Sequence, residues 1–305
     1  MMQGRIIRGI GGFYYVRDAQ GAEYTLRARG RFRREHKTPL VGDEVIFTPG
    51  QGEEHGWLDE ILPRRSECLR PRRSECLRPP AANVSLLLIV CAPEPLPDLM
   101  LIDRLIIRAR RGNMKAALVI NKCDLDPSLA ETLSRQYAGA DVPILPVSAR
   151  EARGLDALRE IMRGELCCVC GQSAVGKSTL LNALCDLELK TGELSEKIRR
   201  GKNTTRHAEL IERGGVAVLD TPGFSLLELD GDMEPETLRE WYPEFSPYEG
   251  RCRFDPCLHD REPDCAVRAA VASGQISAER WERYRLLLAG VRESWKNRYK
   301  AGRDS

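Results

Sequence analysis

Apolar residues Leu166 to Cys170 run into Gly171-Gln172-Ser173-Ala174-Val175-Gly176-Lys177-Ser178, and Thr179 to Leu184 can follow as a helix. Strand, glycine loop and helix in that order make G-x-x-x-x-G-K-S a phosphate-binding loop. The glycines let the backbone close round phosphate oxygens where a Cβ would intrude. Successive N–H groups and the helix N-terminus present partial positive charge to the anion. In this pattern Lys177 reaches the outer phosphates and Ser178 offers its hydroxyl to Mg²⁺. Residues Gly171 to Thr179 are therefore the expected nucleotide-binding segment.

A second motif, Asn121-Lys122-Cys123-Asp124, ends the apolar strand Ala116–Ile120. The Asp124 carboxylate can accept from both N1–H and the 2-amino group of guanine, a donor pair that adenine lacks. Asn121 can bond the base and tie its loop to the phosphate loop, and the Lys122 stem can cover the ring. Ser148-Ala149, after the strand Val142–Val147, would set a backbone N–H at the guanine O6. N-K-x-D alone is a common surface tetrapeptide; beside G-K-S it favours a GTPase over an ATPase.

The surrounding pattern is α/β. Val84–Val90 reads as a buried strand, Asp98–Arg111 as a helix capped by Asp98, and Gly154–Met162 as another helix. Downstream, Gly201–His207 is a polar loop suited to a switch, and strands Ala208–Glu212 and Val216–Leu219 lead to Asp220-Thr221-Pro222-Gly223-Phe224. Asp220 can hold Mg²⁺ through water, and the Gly223 N–H can sense the γ-phosphate.

Residues 3–62 read as about five short strands, a small barrel of the OB type. Its basic loop, Arg27 to Lys37, carries one Phe and suits nucleic acid. Residues 1–80 hold 15 Lys+Arg against 11 Asp+Glu, and residues 279–305 hold 8 against 4. Such basic ends suggest contact with a polyanion, although a solvated surface explains the charge as well. Pro63–Arg70 recurs letter for letter as Pro71–Arg78, which reads as a duplication in a linker. Cys252-x4-Cys257-x-His259-x5-Cys265 offers three thiolates and an imidazole, enough for a closed tetrahedral structural zinc site. Residues 278–300 form a helix whose aromatic stripe suits a core and whose basic face suits RNA. No apolar stretch is long enough for a membrane span, no signal peptide is visible, and the 11 cysteines suit a reducing cytosol.

Base motif, phosphate loop, switch and magnesium motif thus occur in a circularly permuted order. That order, the barrel before it and the cysteines after it resemble the ribosome small subunit-dependent GTPase A family over nearly the whole chain. The resemblance implies a multidomain protein: an OB-fold with linker at 1–80, a permuted P-loop GTPase at 81–231 and a zinc-binding helical unit at 232–305. It implies GTP or GDP, Mg²⁺ and one structural Zn²⁺ as ligands. It also implies a cytoplasmic, monomeric protein whose partners are the small ribosomal subunit and its rRNA, with the subunit stimulating hydrolysis. Lys177, Thr205 and Gly223 are the catalytic candidates. Ser178 and Thr205 would face Mg²⁺, with Thr204 an alternative for the latter. Where a Ras-like enzyme has Gln after D-x-x-G, this chain has Phe224. Where the family carries a His before the paired threonines, it has Asn203, with His207 four residues on. Intrinsic hydrolysis is therefore expected to be slow. The competing readings are an RNA-binding module that uses its nucleotide only as a switch, and an ATP-dependent nucleic-acid enzyme.

Overall fold

The computed structural model describes residues 1–50, 54–66, 81–185, 209–220 and 233–301. Strands β1 (Met2–Ile10), β2 (Phe13–Asp18), β3 (Glu23–Ala28), β4 (Glu44–Thr48) and β5 (Gly56–Ile61) form the N-terminal barrel. Their order is β2-β3-β5-β4-β1, and β1 pairs back to β2 to close the ring. Alternation puts Ile6, Val16, Leu26, Val45, Phe47 and Leu58 inside, all at 0% exposure. The chain reverses at Gly11-Gly12, both at positive φ, a turn that a glycine pair adopts without a Cβ penalty. The basic loop contains a short helix, α1 (Gly30–Arg34).

The barrel is not a separate sheet. A register shift between Ile6 and Arg8 redirects β1, and Arg8 then pairs with Glu209 of β10 (Glu209–Arg213). From β10 the order continues through β11 (Val216–Asp220), β9 (Leu166–Gly171), β6 (Leu86–Cys91), β7 (Lys115–Ile120) and β8 (Ile144–Pro146). These pair in parallel except at β10, which is antiparallel to β11. Although β6, β7 and β8 precede β9 in the chain, β9 lies between β11 and β6, as a circularly permuted GTPase requires.

Helices cover both faces of this part of the sheet. On one side Leu87, Ile89, Cys91, Cys168 and Cys170 pack with Ile102, Leu105 and Ile106 of α2 (Leu99–Arg111) and Leu133 of α3 (Ser128–Gln136). On the other, Leu86, Leu88, Val90 and Cys167 pack with Leu158 of α4 (Leu155–Met162) and Leu180 and Leu184 of α5 (Lys177–Leu184). Burial on both faces explains why β6 and β9 read as unbroken apolar runs. It also pushes the Cys91 and Cys167 thiols up to about 12.

The C-terminal part has two 3₁₀ segments, Pro235–Trp241 and Pro243–Tyr248, then α6 (Ala266–Ala272) and α7 (Ala278–Ala301). Tyr242, Phe245 and Tyr284 stack and meet edge-on at 4.9–5.2 Å between ring centres, so the aromatic stripe of α7 is core. The expectation that the basic face of α7 meets RNA is corrected for four arginines. Arg280 and Arg283 are buried against Asp103 of α2, with Arg280 also on Glu244; Arg285 and Arg292 both hold Asp260.

Candidate functional site: a nucleotide pocket and a metal cluster

The loop between β9 and α5 is set by positions that no larger residue fits. A Cβ on Gly171 would lie 2.0 Å from the Val90 carbonyl oxygen, and one on Gly176 would lie 2.5 Å from Asn121 Nδ2. Both have positive φ, as does Ala174. Val175 is fully buried beneath the loop, whereas Ser173 and Ala174 are exposed. The Lys177 ammonium folds over the loop, donating to the carbonyls of Gly171 (2.9 Å) and Gln172. Burial lowers its pKa. Ser178 and Thr179 follow, half-buried, on the first turn of α5.

Asn121 joins three segments. Its Nδ2 donates to the Val175 carbonyl at 2.9 Å, and its Oδ1 accepts from the Ala149 N–H at 3.1 Å. Only 2% of Asn121 is exposed, so these bonds are shielded from water. The Ala149 N–H expected at the guanine O6 is thus engaged by Asn121, and the Ser148 N–H by the Arg153 carbonyl. Lys122, at positive φ, donates to the Glu94 and Ala174 carbonyls at 2.8 and 2.9 Å. Asp124 is held below the usual carboxylate range by a hydrogen bond from Ser148, then by nearby Arg153 and Arg150. Its Oδ1 is buried and has no hydrogen-bond partner in the protein. An ionised carboxylate with unused acceptor capacity beside a phosphate loop fits a base with donors to give.

Two features of this pocket were not read from the sequence. Gln172 clamps the phosphate loop to the start of α2: its Oε1 accepts from the Asp98 N–H at 2.8 Å, and its Nε2 donates to the Leu96 carbonyl at 3.0 Å. Arg153 donates to Cys123 Sγ at 3.3 Å behind the base loop. Neither pair has a sequence spacing that announces it. Of the remaining candidates, Asp220 ends β11, in register with Glu209. Asn203, Thr204, Thr205, His207, Gly223 and Phe224 lie outside the described residues.

The four cysteine and histidine candidates come together in the C-terminal part. The ligand atoms of Cys252, Cys257, His259 and Cys265 all lie within 4.8 Å of one another. Cys252 Sγ is 3.7 Å from His259 Nδ1 and 3.9 Å from Cys265 Sγ, and His259 Nδ1 is 3.4 Å from Cys265 Sγ. Sulfur at about 2.3 Å and nitrogen at about 2.0 Å from a tetrahedral zinc stand about 3.5–3.8 Å apart, so this donor set fits that ion. Burial, with Arg239 nearby, brings the imidazole down to about 4, which keeps a nitrogen lone pair available. The loop is braced from outside. Glu262 accepts from the Leu258, Asp260 and Arg261 N–H groups, Trp281 Nε1 donates to the His259 carbonyl, and Tyr284 donates to the Leu258 carbonyl.

Comparison with known proteins agrees with this geometry. The sequence model of the RsgA GTPase family matches residues 61–230, and that of the RsgA N-terminal domain matches residues 3–58. The small ribosomal subunit biogenesis GTPase RsgA of Ruminiclostridium cellulolyticum is 41% identical over 298 residues, covering 96% of this chain and 95% of that protein. Its counterpart in Geobacillus thermodenitrificans is 42% identical over 305 residues, covering 98% and 100%. Among solved structures, YjeQ from Thermotoga maritima superposes with a TM-score of 0.79 at 30% identity, covering 95% of this chain and 98% of that one. YloQ, described as a circularly permuted GTPase, gives 0.79 at 29% identity, covering 96% of each.

Proposed function

Since the chain belongs to the RsgA GTPase family and is a GTP hydrolase of small ribosomal subunit biogenesis, we propose the following roles for its residues. Asp124 receives the two guanine donors on its carboxylate, and Asn121 holds the base loop against the phosphate loop. Lys122 covers the ring. The Ala149 N–H, now on Asn121, is shared with the guanine O6 when the base arrives.

The N–H groups of residues 172–178 receive the phosphates, and Lys177 exchanges the Gly171 and Gln172 carbonyls for phosphate oxygens. Both stabilise charge that develops on the γ-phosphoryl as water attacks. Ser178, Thr205 and Asp220 are the residues that would hold Mg²⁺, which neutralises phosphate charge when bound. Gly223 senses the γ-phosphate. With Phe224 in the place of a water-orienting Gln, turnover of the free protein is slow and the subunit completes the site.

The reading extends to the rest of the molecule. Cys252, Cys257, His259 and Cys265 hold one structural zinc. The barrel and its basic loop contact rRNA on the small subunit. The protein acts as a cytoplasmic monomer, divided at residues 80/81 and 231/232. No helix among the described residues is long and apolar enough to cross a membrane.

The observation that carries the nucleotide reading is the buried, unpartnered Asp124 Oδ1 beside the Asn121 bridge. Phosphate release from GTP and ATP, with and without purified small subunits, tests it. Slow GTP turnover that subunits strongly accelerate, with ATP inert, is expected. Equal use of ATP and GTP would defeat the base assignment; fast turnover by the free protein would defeat the completion step.

A further inference from the structure

The outer face of the barrel carries a row of side chains that its core does not need. Along β5, Gly56 and Leu58 point inward, so Trp57 between them points out and remains 44% exposed. The registers place Trp57 beside Arg27 on β3, and Arg27 beside Phe13 on β2. Phe13, Arg27 and Trp57 therefore lie in one line across three strands. The Arg27 guanidinium covers the Phe13 ring at 4.6 Å, and His55 meets that ring edge-on at 4.7 Å.

At the Trp57 end the row opens into a recess of about 340 Å³, lined by Arg29, Gly30, Arg31, Arg34 and Trp57. Arg29 stands over the indole at 5.7 Å but is neutralised by Asp59 at 2.8 Å. Arg31 and Arg34 on α1 are exposed and have no ion pair among the described residues. The recess thus joins a half-exposed indole, the paired Arg29 guanidinium over it, and at its rim two cations that no ion pair holds, with Glu35 near both. It is an open depression whose volume is at the small end of ligand pockets, about 300–1,000 Å³, enough to seat one base.

We propose that this recess is a slot for a single unpaired base of an RNA strand. The base stacks on Trp57, and Arg31 and Arg34 take the phosphates on either side. The proposal rests on the rRNA contact read above and narrows it. Duplex RNA is held through backbone shape and charge and leaves its bases stacked internally, so it has no use for an exposed indole. Single strands stack successive bases on aromatic faces beside a cationic track.

Anisotropy titrations of a labelled ten-nucleotide single strand and of an RNA duplex, against the full-length protein, test the proposal. Trp57→Ala should weaken single-strand binding roughly tenfold or more, as loss of one stacked base does, and leave duplex binding unchanged. Trp57→Phe should restore most of it. Arg31→Ala/Arg34→Ala should weaken both RNAs and flatten the salt dependence, which an aromatic change leaves alone. Single-strand binding unaffected by Trp57→Ala, or single strand and duplex weakened alike, overturns the slot while leaving the rRNA reading in place. Wild-type protein that binds neither RNA overturns both. Displacement of the single strand by equimolar AMP would assign the recess to a free nucleotide and overturn the RNA proposal.

Discussion

Replacing Arg280 by Met removes the central cation of a buried network. Arg280 is 2% exposed, and it bonds Glu244 and, at 2.5 Å, Asp103. The flanking carboxylates more than reverse the effect of burial on its pKa, so the guanidinium stays charged. Its plane also lies 4.7 Å from the Tyr137 ring centre and 4.8 Å from that of Tyr242. The two acids fare differently once it is gone. Asp103 keeps Arg283 at 2.6 Å, whereas Glu244, with only 3% of its side chain exposed, loses its ion pair and keeps only the more distant charge of Arg110. Breaking a buried pair from one side costs about 3–5 kcal/mol, and the Met thioether retains part of the aromatic contact. The thermal transition of the α/β and C-terminal parts, which this network ties together, should fall by roughly 6–20 °C on that basis. Arg280→Met/Glu244→Leu should recover most of the loss, because it removes the stranded charge together with its cation. A double-mutant cycle by thermal and urea unfolding reads the coupling. A single substitution within about 1 kcal/mol of wild type, or a double variant worse than the single, would show that the network carries no such charge balance.

Three further outcomes follow from the sites. Asp124→Asn should turn base preference from guanine toward xanthine, whose carbonyl replaces the 2-amino donor; competition between GTP and XTP for a fluorescent nucleotide reads this. Asn121→Ala strands the Val175 carbonyl, at a cost of about 1–3 kcal/mol, and should weaken GDP binding roughly five- to hundredfold by calorimetry without unfolding the sheet. Metal analysis should find one zinc per chain, lost in Cys257→Ala together with protection of residues 250–270 from hydrogen exchange, because the ion supplies folding energy there.

The grouping of the candidate nucleotide and metal residues was legible because each group is a local string. Gly171–Ser178, Asn121–Asp124 and Cys252–Cys265 keep their chemistry within a few residues, and flanking apolar runs give the strands away. Contacts between distant segments were not legible. Asp103 meets Arg280 and Arg283 across more than 170 residues, and two arginines three apart on a polar helix look like a solvated face. Helix α3 went unread although Leu129, Leu133 and Tyr137 recur four apart, because Ser128–Gln136 is short and its N-cap, Pro127, makes no side-chain cap. Trp57 read as an ordinary strand residue, since alternation decides which way it points only once the register is known.

The passage of β1 from barrel to sheet makes a joint between them. Arg8 pairs with Glu209, Val41 bridges Ala81, the Asn83 amide donates to the Gly42 carbonyl, and one apolar core runs from Ile6 and Ile7 to Leu166 and Leu210. Around the joint stand ion pairs of the half-exposed kind: Arg5 and Arg17 to Glu212, and Arg8 to Glu209. Such pairs contribute little and weaken with salt. Glu209 is in register with Asp220 on the next strand, so the joint lies one strand from the magnesium motif. A displacement of the barrel therefore has a hydrogen-bonded backbone route, through β1 and β10, to the strand that ends in Asp220.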